Sequence, residues 1–293
     1  MKKPFFSIIV INFNSPFLSR TLTSLKQQKF SNWEAILVDN HSKDNVREIV
    51  KNMKDKRIRL FYIKNRGLMA KSRNLGIKKS RSSLICFCDS DDWWHEDKLS
   101  EFYKEYKKNK PNFAYHNIVV DNYNKKQIKK KSKYYKDNFF LNCLKHGSPI
   151  GCSSLMIKKE IIKKVGYFSL DKKVDNGWID LDLVLKCSKI TEKISFVDKY
   201  LSYYCFGINN YSTETNVLKS MSNFNKSYII KNNFFNGQYP WWSKALEIKK
   251  NYKSKKFRIV LKLLKKTRCF KINDYLKWSF YFFSSNIILS LKK

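Results

Sequence analysis

The sequence has no Cys-x-x-Cys pair, only four scattered histidines, no G-x-G-x-x-G turn and comparatively few acids. Each absence excludes something. With seven cysteines at odd count and no ligand spacing, neither a disulfide framework nor a structural zinc site is expected. The reading instead is reduced, buried thiols in a cytoplasmic protein. The missing glycine fingerprint after the first apolar run disfavours a dinucleotide enzyme. Two lysines lead directly into a strand-like segment, with no signal core and cleavage site, so secretion is not predicted. The uncharged aromatic run from Trp278 to Leu291 is 14 residues, short of the ~20 that span a bilayer. No internal repeat is present.

What is there is a chain of 293 residues with 43% hydrophobic content, enough for one large domain or two ordinary ones. That excludes a disordered basic tail protein. The formal net charge is +36, carried by 60 Lys and Arg against 24 Asp and Glu. As one number it suggests a polyanionic partner, although a lysine-rich base composition would also produce it. Divided, it is more informative. Residues 1–121 carry +11, residues 122–174 carry +11, residues 175–215 carry −2 and residues 216–293 carry +16. Carboxylates retained in the one acidic segment are candidates for chemistry.

Short apolar segments alternate with helical patterns along the first third. SIIVIN (from Phe6 to Asn12), AILVD (Ala35–Asp39), IRLFYI and LICFC (Leu84–Cys88) read as strands. Helices are predicted from Leu18 with Pro16 in the first turn, near Asp44–Met53, and at Met69–Lys79. The fold class is α/β, a doubly wound, mostly parallel sheet with helices on both faces. Ligands of such sheets lie beyond the carboxyl ends of the strands. Those ends carry Asn12–Asn14, Asp39–Asn40, Asn65–Gly67 and Asp89–Asp92. Further on, KKQIKKKSKYYK reads as a solvated loop or a patch facing anionic lipid. A helix near Asn138–His146, a strand at Ser153–Ile157, a helix near Ile179–Ile190 and strands ISFV and YLSYYCF follow. Beyond Asn216 the chain reads as helical, basic and aromatic.

Three constellations carry chemistry. In Cys88-Asp89-Ser90-Asp91-Asp92-Trp93-Trp94, three carboxylates in four residues follow a buried strand. They repel one another, and a Mg²⁺ or Mn²⁺ ion bridging to a diphosphate would satisfy them. A helix cap accounts for one such Asp, not three. Asn65-Arg66-Gly67, followed by Lys71, Arg73-Asn74 and Gly76, opens a helix with cations, which suits a phosphate or a nucleobase edge. In the acidic segment, Asp175 and Trp178-Ile179-Asp180-Leu181-Asp182 offer carboxylates beside apolar groups, where a raised pKa would suit a general base. Two solvated acids in a helix's first turn are the simpler alternative.

Taken in order, SIIVINFN, VDNHSKDN (38–45), NRGLMAKSRNLG (65–76), CDSDDWW (88–94), GCSSLMIKKEIIKKVGYF (151–168) and WIDLDLVLK (178–186) resemble glycosyltransferase family 2. These are inverting enzymes of the nucleotide-diphospho-sugar transferase (GT-A) fold. The resemblance covers roughly the first two thirds of the chain. It implies a transferase domain over 1–215, with a nucleotide-sugar half at 1–121 and an acceptor half at 122–215, followed by a helical basic region at 216–293. It implies that Asp39 meets the base or ribose of a UDP-type donor, that Asn14, Asn65 and Gly67 line that pocket, and that Arg73 lies near the uracil or phosphates. Asp89, Asp91 and Asp92 would form the DxD-type element, Asp91 also recognising donor sugar or ribose, with Mg²⁺ or Mn²⁺ as cofactor. Asp180 would be the general base; Ile179 stands where the family usually has Glu, which keeps Asp182 as the alternative.

The implied reaction moves a hexose or N-acetylhexosamine from a UDP-sugar to a saccharide or lipid-linked saccharide, in bacterial surface glycan synthesis. Phe257, Val260, Leu261 and Leu264 fall along one side of a basic helix, an interfacial pattern. The expected location is cytoplasmic, with two alternatives for this basic region: peripheral binding to the inner face of the membrane, or helices packed on the transferase core. Two rivals are a basic nucleic-acid-binding protein and a sugar-nucleotide nucleotidyltransferase. The first accounts for the charge but not for the Asp triplet. The second would need a glycine-rich basic loop where INFNSPF stands.

Overall fold

A computed structural model describes residues 3–122, 127–174, 176–206 and 213–279. The first third follows the sequence pattern closely: β1 (Phe6–Asn12), α1 (Leu18–Lys26), β2 (Trp33–Asp39), α2 (Val46–Met53), β3 (Ile58–Tyr62), α3 (Met69–Lys79) and β4 (Leu84–Asp89). Strands β3, β2, β1 and β4 lie side by side and all pair in parallel. β1 and β2 are almost wholly buried because helices cover both faces. Their carboxyl ends therefore share one edge of the sheet.

Beyond β4 the chain continues as β5 (Trp93–Trp94), α4 (Lys98–Asn109), β6 (Phe113–Asn122), β7 (Ile128–Lys130), α5 (Phe139–His146), a 3₁₀ turn at Cys152–Ser154, β8 (Leu155–Lys158), α6 (Lys159–Lys164), α7 (Ile179–Ser188) and β9 (Ile194–Phe206). Here the sheet becomes mixed: β8 runs antiparallel to both β4 and β6, β9 is parallel to β6, and β5 is antiparallel to β9. β6 is a strand that the sequence pattern left unassigned. The two segments ISFV and YLSYYCF are one strand, bulged opposite Asn117. Within the lysine-rich run, Ile128–Lys130 is an exposed edge strand on β6, and 123–126 lie outside the described residues.

The chain divides into two compact units. The first comprises Met1–Asp137, Pro149–Leu170 and Ile179–Asn210. Its core joins Ile8, Val10, Leu22, Leu37, Cys86, Phe102 and Met156 across the sheet and its helices. The second comprises Asn138–Ser148, Asp171–Trp178 and Tyr211–Lys293. It contains α8 (Glu214–Phe224), α9 (Trp241–Lys253) and α10 (Phe257–Lys265). Trp178 packs edge-on against Phe224, and the Trp242 indole N–H donates to the Leu144 carbonyl at 2.9 Å.

The apolar stripe of α10 is packed within its own unit. Phe257, Val260 and Leu264 are buried, Val260 and Leu264 in a cluster with Trp241 and Ile248 of α9. An amphipathic face serves equally for a membrane or for a neighbouring helix, and here the helix holds it. Exposed apolar groups lie further on, at Ile272, Tyr275 and Leu276. Among the described residues no helix is long and apolar enough to cross a membrane. Most of the run from Trp278 to Leu291, and Asp175, lie outside them.

Candidate active site

The site is built on the carboxyl edge of β1–β4, within the first unit. β4 ends at Asp89, and the following turn is clamped from beneath by α1. Thr21 Oγ1 donates within reach of the carbonyls of Ser90 and Asp92, at 2.9 and 2.7 Å. Ser15 Oγ donates to the Ser90 carbonyl at 2.8 Å. The Arg20 guanidinium donates to the Asp91 carbonyl at 2.9 Å while stacking 3.7 Å from the Trp93 ring centroid. These bonds fix the backbone of the acidic turn and leave its side chains to point by geometry. None of Ser15, Arg20 or Thr21 was marked by the sequence, because each lies about 70 residues from its partner.

The three carboxylates of the turn take three environments. Asp89 accepts from Arg73 Nη2 at 2.9 and 3.1 Å. Asp91 is pushed up to about 6, first by burial and then by the charge of Asp89. Asp92 turns inward: it accepts from Ser153 Oγ and, at 3.0 Å, from the Cys205 N–H. Expected at the metal, Asp92 is instead engaged by protein on both oxygens, and burial pushes its carboxyl well up, with Asp91 and Asp89 adding to the effect. Among the described residues no three His, Cys, Asp or Glu side chains form a cage for a metal ion.

Arg73 is the link that sequence spacing could not supply. Its side chain is 3% exposed, and its Nη1 donates to Asp180 Oδ1 at 2.9 Å while Nη2 holds Asp89. Asp89 and Asp180 each keep about a third of their side chains open, 31% and 34%. Burial raises the Asp180 carboxyl, Arg73 opposes that rise, and Asp89 adds to it. Cys152 also hydrogen-bonds Asp180. Asp182, two residues along α7, is 5% exposed and pairs with Lys186 Nζ at 2.7 Å, one turn away. The structure thus brings Asp180, but not Asp182, together with Arg73 and Asp89. Arg73 itself is buried between carboxylates.

The neighbouring strand ends form a second polar cluster. Asp39 is buried: its Oδ1 accepts from Asn12 Nδ2 at 2.8 Å and Ser42 Oγ at 2.6 Å, its Oδ2 from the Ser42 N–H at 2.9 Å. Asn14, at φ 50°, donates its N–H to Ser42 Oγ and accepts from the Lys43 N–H. Asn65 takes the Asn40 side-chain oxygen on its N–H, accepts from the Gly67 N–H and donates to Ser72 Oγ at 2.9 Å. Gly67 sits at φ +79° with open space where a Cβ would stand, so the backbone conformation rather than crowding selects glycine. Asn12, Asn40, Ser42 and Ser72 hold these loops; Asn12 and Asn40 stand at the polar strand ends already read from the sequence, whereas Ser42 and Ser72 were not singled out there.

The sequence profile described as "Glycosyl transferase family 2" matches residues 7–166. The chain belongs to that family. Among relatives of this family 2 chain, an uncharacterized glycosyltransferase of Haemophilus influenzae is 38% identical over 104 residues, 34% of this chain and 42% of the relative. The Escherichia coli UDP-Glc:alpha-D-GlcNAc-diphosphoundecaprenol beta-1,3-glucosyltransferase WfgD is 28% identical over 180 residues, covering 60% of this chain and 68% of WfgD. The matched stretch thus spans about two fifths of the first of these and two thirds of the second. Staphylococcus aureus TarS 1–349 superposes with a TM-score of 0.58 at 20% identity, over 78% of this chain and 74% of TarS. The family 2 fold is thereby GT-A, as its sequence implied. Asp180 lies beyond the stretch that the profile matches, so its role rests on its geometry.

Proposed function

We propose that this chain is an inverting glycosyltransferase that moves a hexose or N-acetylhexosamine from a UDP-sugar to a hydroxyl of a lipid-linked saccharide in cell-surface glycan synthesis. The observation that carries it is the convergence of Asp89, Arg73 and Asp180 beside Asp91, on the edge where α/β sheets take their ligands. The transferase domain is assigned to 1–215 and a basic helical region to 216–293. WfgD, by its name, uses UDP-Glc and a diphosphoundecaprenol-linked acceptor, and TarS has been crystallised with UDP-GlcNAc; both support the donor and acceptor classes.

In this reading Asp39, Asn14, Asn65 and Gly67 shape the nucleoside pocket. Asp39 orders the wall through Asn12 and Ser42. Asp180 takes the proton from the acceptor hydroxyl. That oxygen then attacks the anomeric carbon opposite the leaving diphosphate, so the new C–O bond forms as the old one breaks and configuration inverts. Arg73 keeps Asp180 oriented and offsets the charge of Asp89. Asp91 suits a single-carboxylate site for Mg²⁺ or Mn²⁺, with the remaining oxygens drawn from the donor, a usual arrangement for such ions; Asp89 adds its negative field. A bound ion would neutralise charge on the departing diphosphate. The basic region, at +16, would attract the enzyme to the anionic inner face of the cytoplasmic membrane, where a lipid-linked acceptor resides.

Thermal stabilisation by UDP with Mn²⁺, followed by hydrolysis of a panel of UDP-sugars, tests the reading. Stabilisation by an oligonucleotide but not by UDP would favour the nucleic-acid-binding alternative. Pyrophosphate release from a nucleoside triphosphate and a sugar phosphate would favour the nucleotidyltransferase.

A further inference from the structure

A lysine side chain is rarely sealed from water without a reason, because its charge loses hydration on burial. Lys98, the first residue of α4, is 0% exposed. Its Nζ donates to the Ser153 carbonyl at 2.5 Å and lies 3.6 Å from the Trp94 ring centroid. The thiols of Cys86, Cys88 and Cys152 and the carboxyl of Asp92 act on its charge. His116, also fully buried, feels the same cation.

The partner of Lys98 occupies a central place. Through its carbonyl Ser153 receives Lys98; through its hydroxyl it donates to Asp92 Oδ2 and accepts from the Asp89 N–H at 3.2 Å. One serine therefore joins the buried cation to both ends of the turn Asp89–Asp92. Asp92 is held at its other oxygen by the Cys205 N–H of β9. The backbone carbonyls of the same turn are held from the opposite side by α1, through Arg20 and Thr21.

We propose that Lys98 is a positioning residue: its buried ammonium holds the Ser153 carbonyl, and the Ser153 hydroxyl so placed clasps the Asp89 N–H and Asp92 and fixes the turn that presents Asp91. It touches no substrate. Removing it leaves the Ser153 carbonyl without its donor in a sealed interior, which costs the desolvation of that group. The segment then has to open to let water reach that carbonyl, the Ser153 hydroxyl loses its place on the turn, and Asp91 loses its fixed aim. This inference refines the site described under the proposed function. Its test, however, needs no nucleotide, so its failure is distinguishable from failure of that reading.

The experiment is hydrogen exchange followed by mass spectrometry on the full chain: wild type, Lys98→Met, Ser153→Ala, and the two combined. In Lys98→Met, amides of 89–94 and 152–154 are expected to exchange about tenfold faster or more, while those of β1–β3 keep wild-type rates, the signature of a local opening. Ser153→Ala should loosen 89–94 in the same way, and the combined variant should add little to either alone, since both act through one link. Unchanged exchange at 89–94, or equal loosening of every segment, would overturn the proposal. If Lys98→Met does not fold, Ser153→Ala decides: faster exchange confined to 89–94 and 152–154 supports the proposal, and wild-type exchange there overturns it. UDP affinity in the presence and absence of Mn²⁺ then reads the functional consequence separately.

Discussion

Arg73 and Asp180 are 107 residues apart in sequence and meet at 2.9 Å, guanidinium Nη1 to carboxylate Oδ1. The same guanidinium holds Asp89 at the end of β4. One buried cation therefore ties the candidate base to the acidic turn, and most of what can be tested follows from that link.

Asp180→Asn keeps the hydrogen bond to Arg73 and removes the proton acceptor. Transfer should fall by ~10²–10⁴-fold, the range for loss of a general base, with UDP affinity by calorimetry largely retained. Asp182→Asn, which disturbs the pair with Lys186 and leaves Arg73 on Asp89 and Asp180, should lose far less. Substantial turnover in the first variant with collapse in the second would reverse the assignment of the base.

Arg73→Met leaves Asp89 and Asp180 facing each other without their shared cation. Breaking a fully buried pair costs about 3–5 kcal/mol. Because both carboxylates are about a third open to water, a smaller loss in chemical denaturation is expected, together with loss of transfer. Arg73→Lys should not restore activity, since an ammonium cannot bridge two carboxylates in the geometry of a planar fork.

Asp91 carries a pH signature. Its carboxyl, near 3.8 when unperturbed, sits at about 6 in the fold, through burial and the charge of Asp89. A raised carboxyl pKa means that the folded state favours the protonated form. Ionisation therefore removes stability as pH rises from about 4 to about 6. Mn²⁺ binds only the ionised group, so it should raise the melting temperature above pH 6 and have little effect near pH 4.5. An equal shift at both pH values would remove Asp91 from the metal site.

The basic region separates packing from surface. Leu264→Ala cuts into the cluster with Trp241 and Ile248 and should cost about 2–5 kcal/mol of stability. Ile272→Ala, at an 81% exposed position, should fall within about 0.5 kcal/mol of wild type. If the region meets an anionic bilayer, sedimentation with phosphatidylglycerol vesicles should be strong at low salt and weak at high salt, and absent with phosphatidylcholine alone.

The strands and helices of the first third were legible because they are local. Apolar β-branched runs of strand length alternate with amphipathic helices, and α3 falls on the residues its pattern indicates, Met69–Lys79. The mixed half of the sheet was less legible. β6 pairs with both β8 and β9 across long separations, and nothing in its own ten residues states its partners.

Sequence by itself determined the family, the parallel strand order's raw material and the edge on which polar residues gather, since strand and helix periodicity, together with motif order, are properties of short segments. Tertiary structure decided which carboxylate does what. Asp180 and Asp182 are two residues apart on a helix, hence about 200° apart around its axis, and only the packing of α7 determines which one meets Arg73. Likewise Asp91 and Asp92 are neighbours with opposite fates, because Ser153 and Cys205 arrive from β8's approach and from β9 to draw one of them inside.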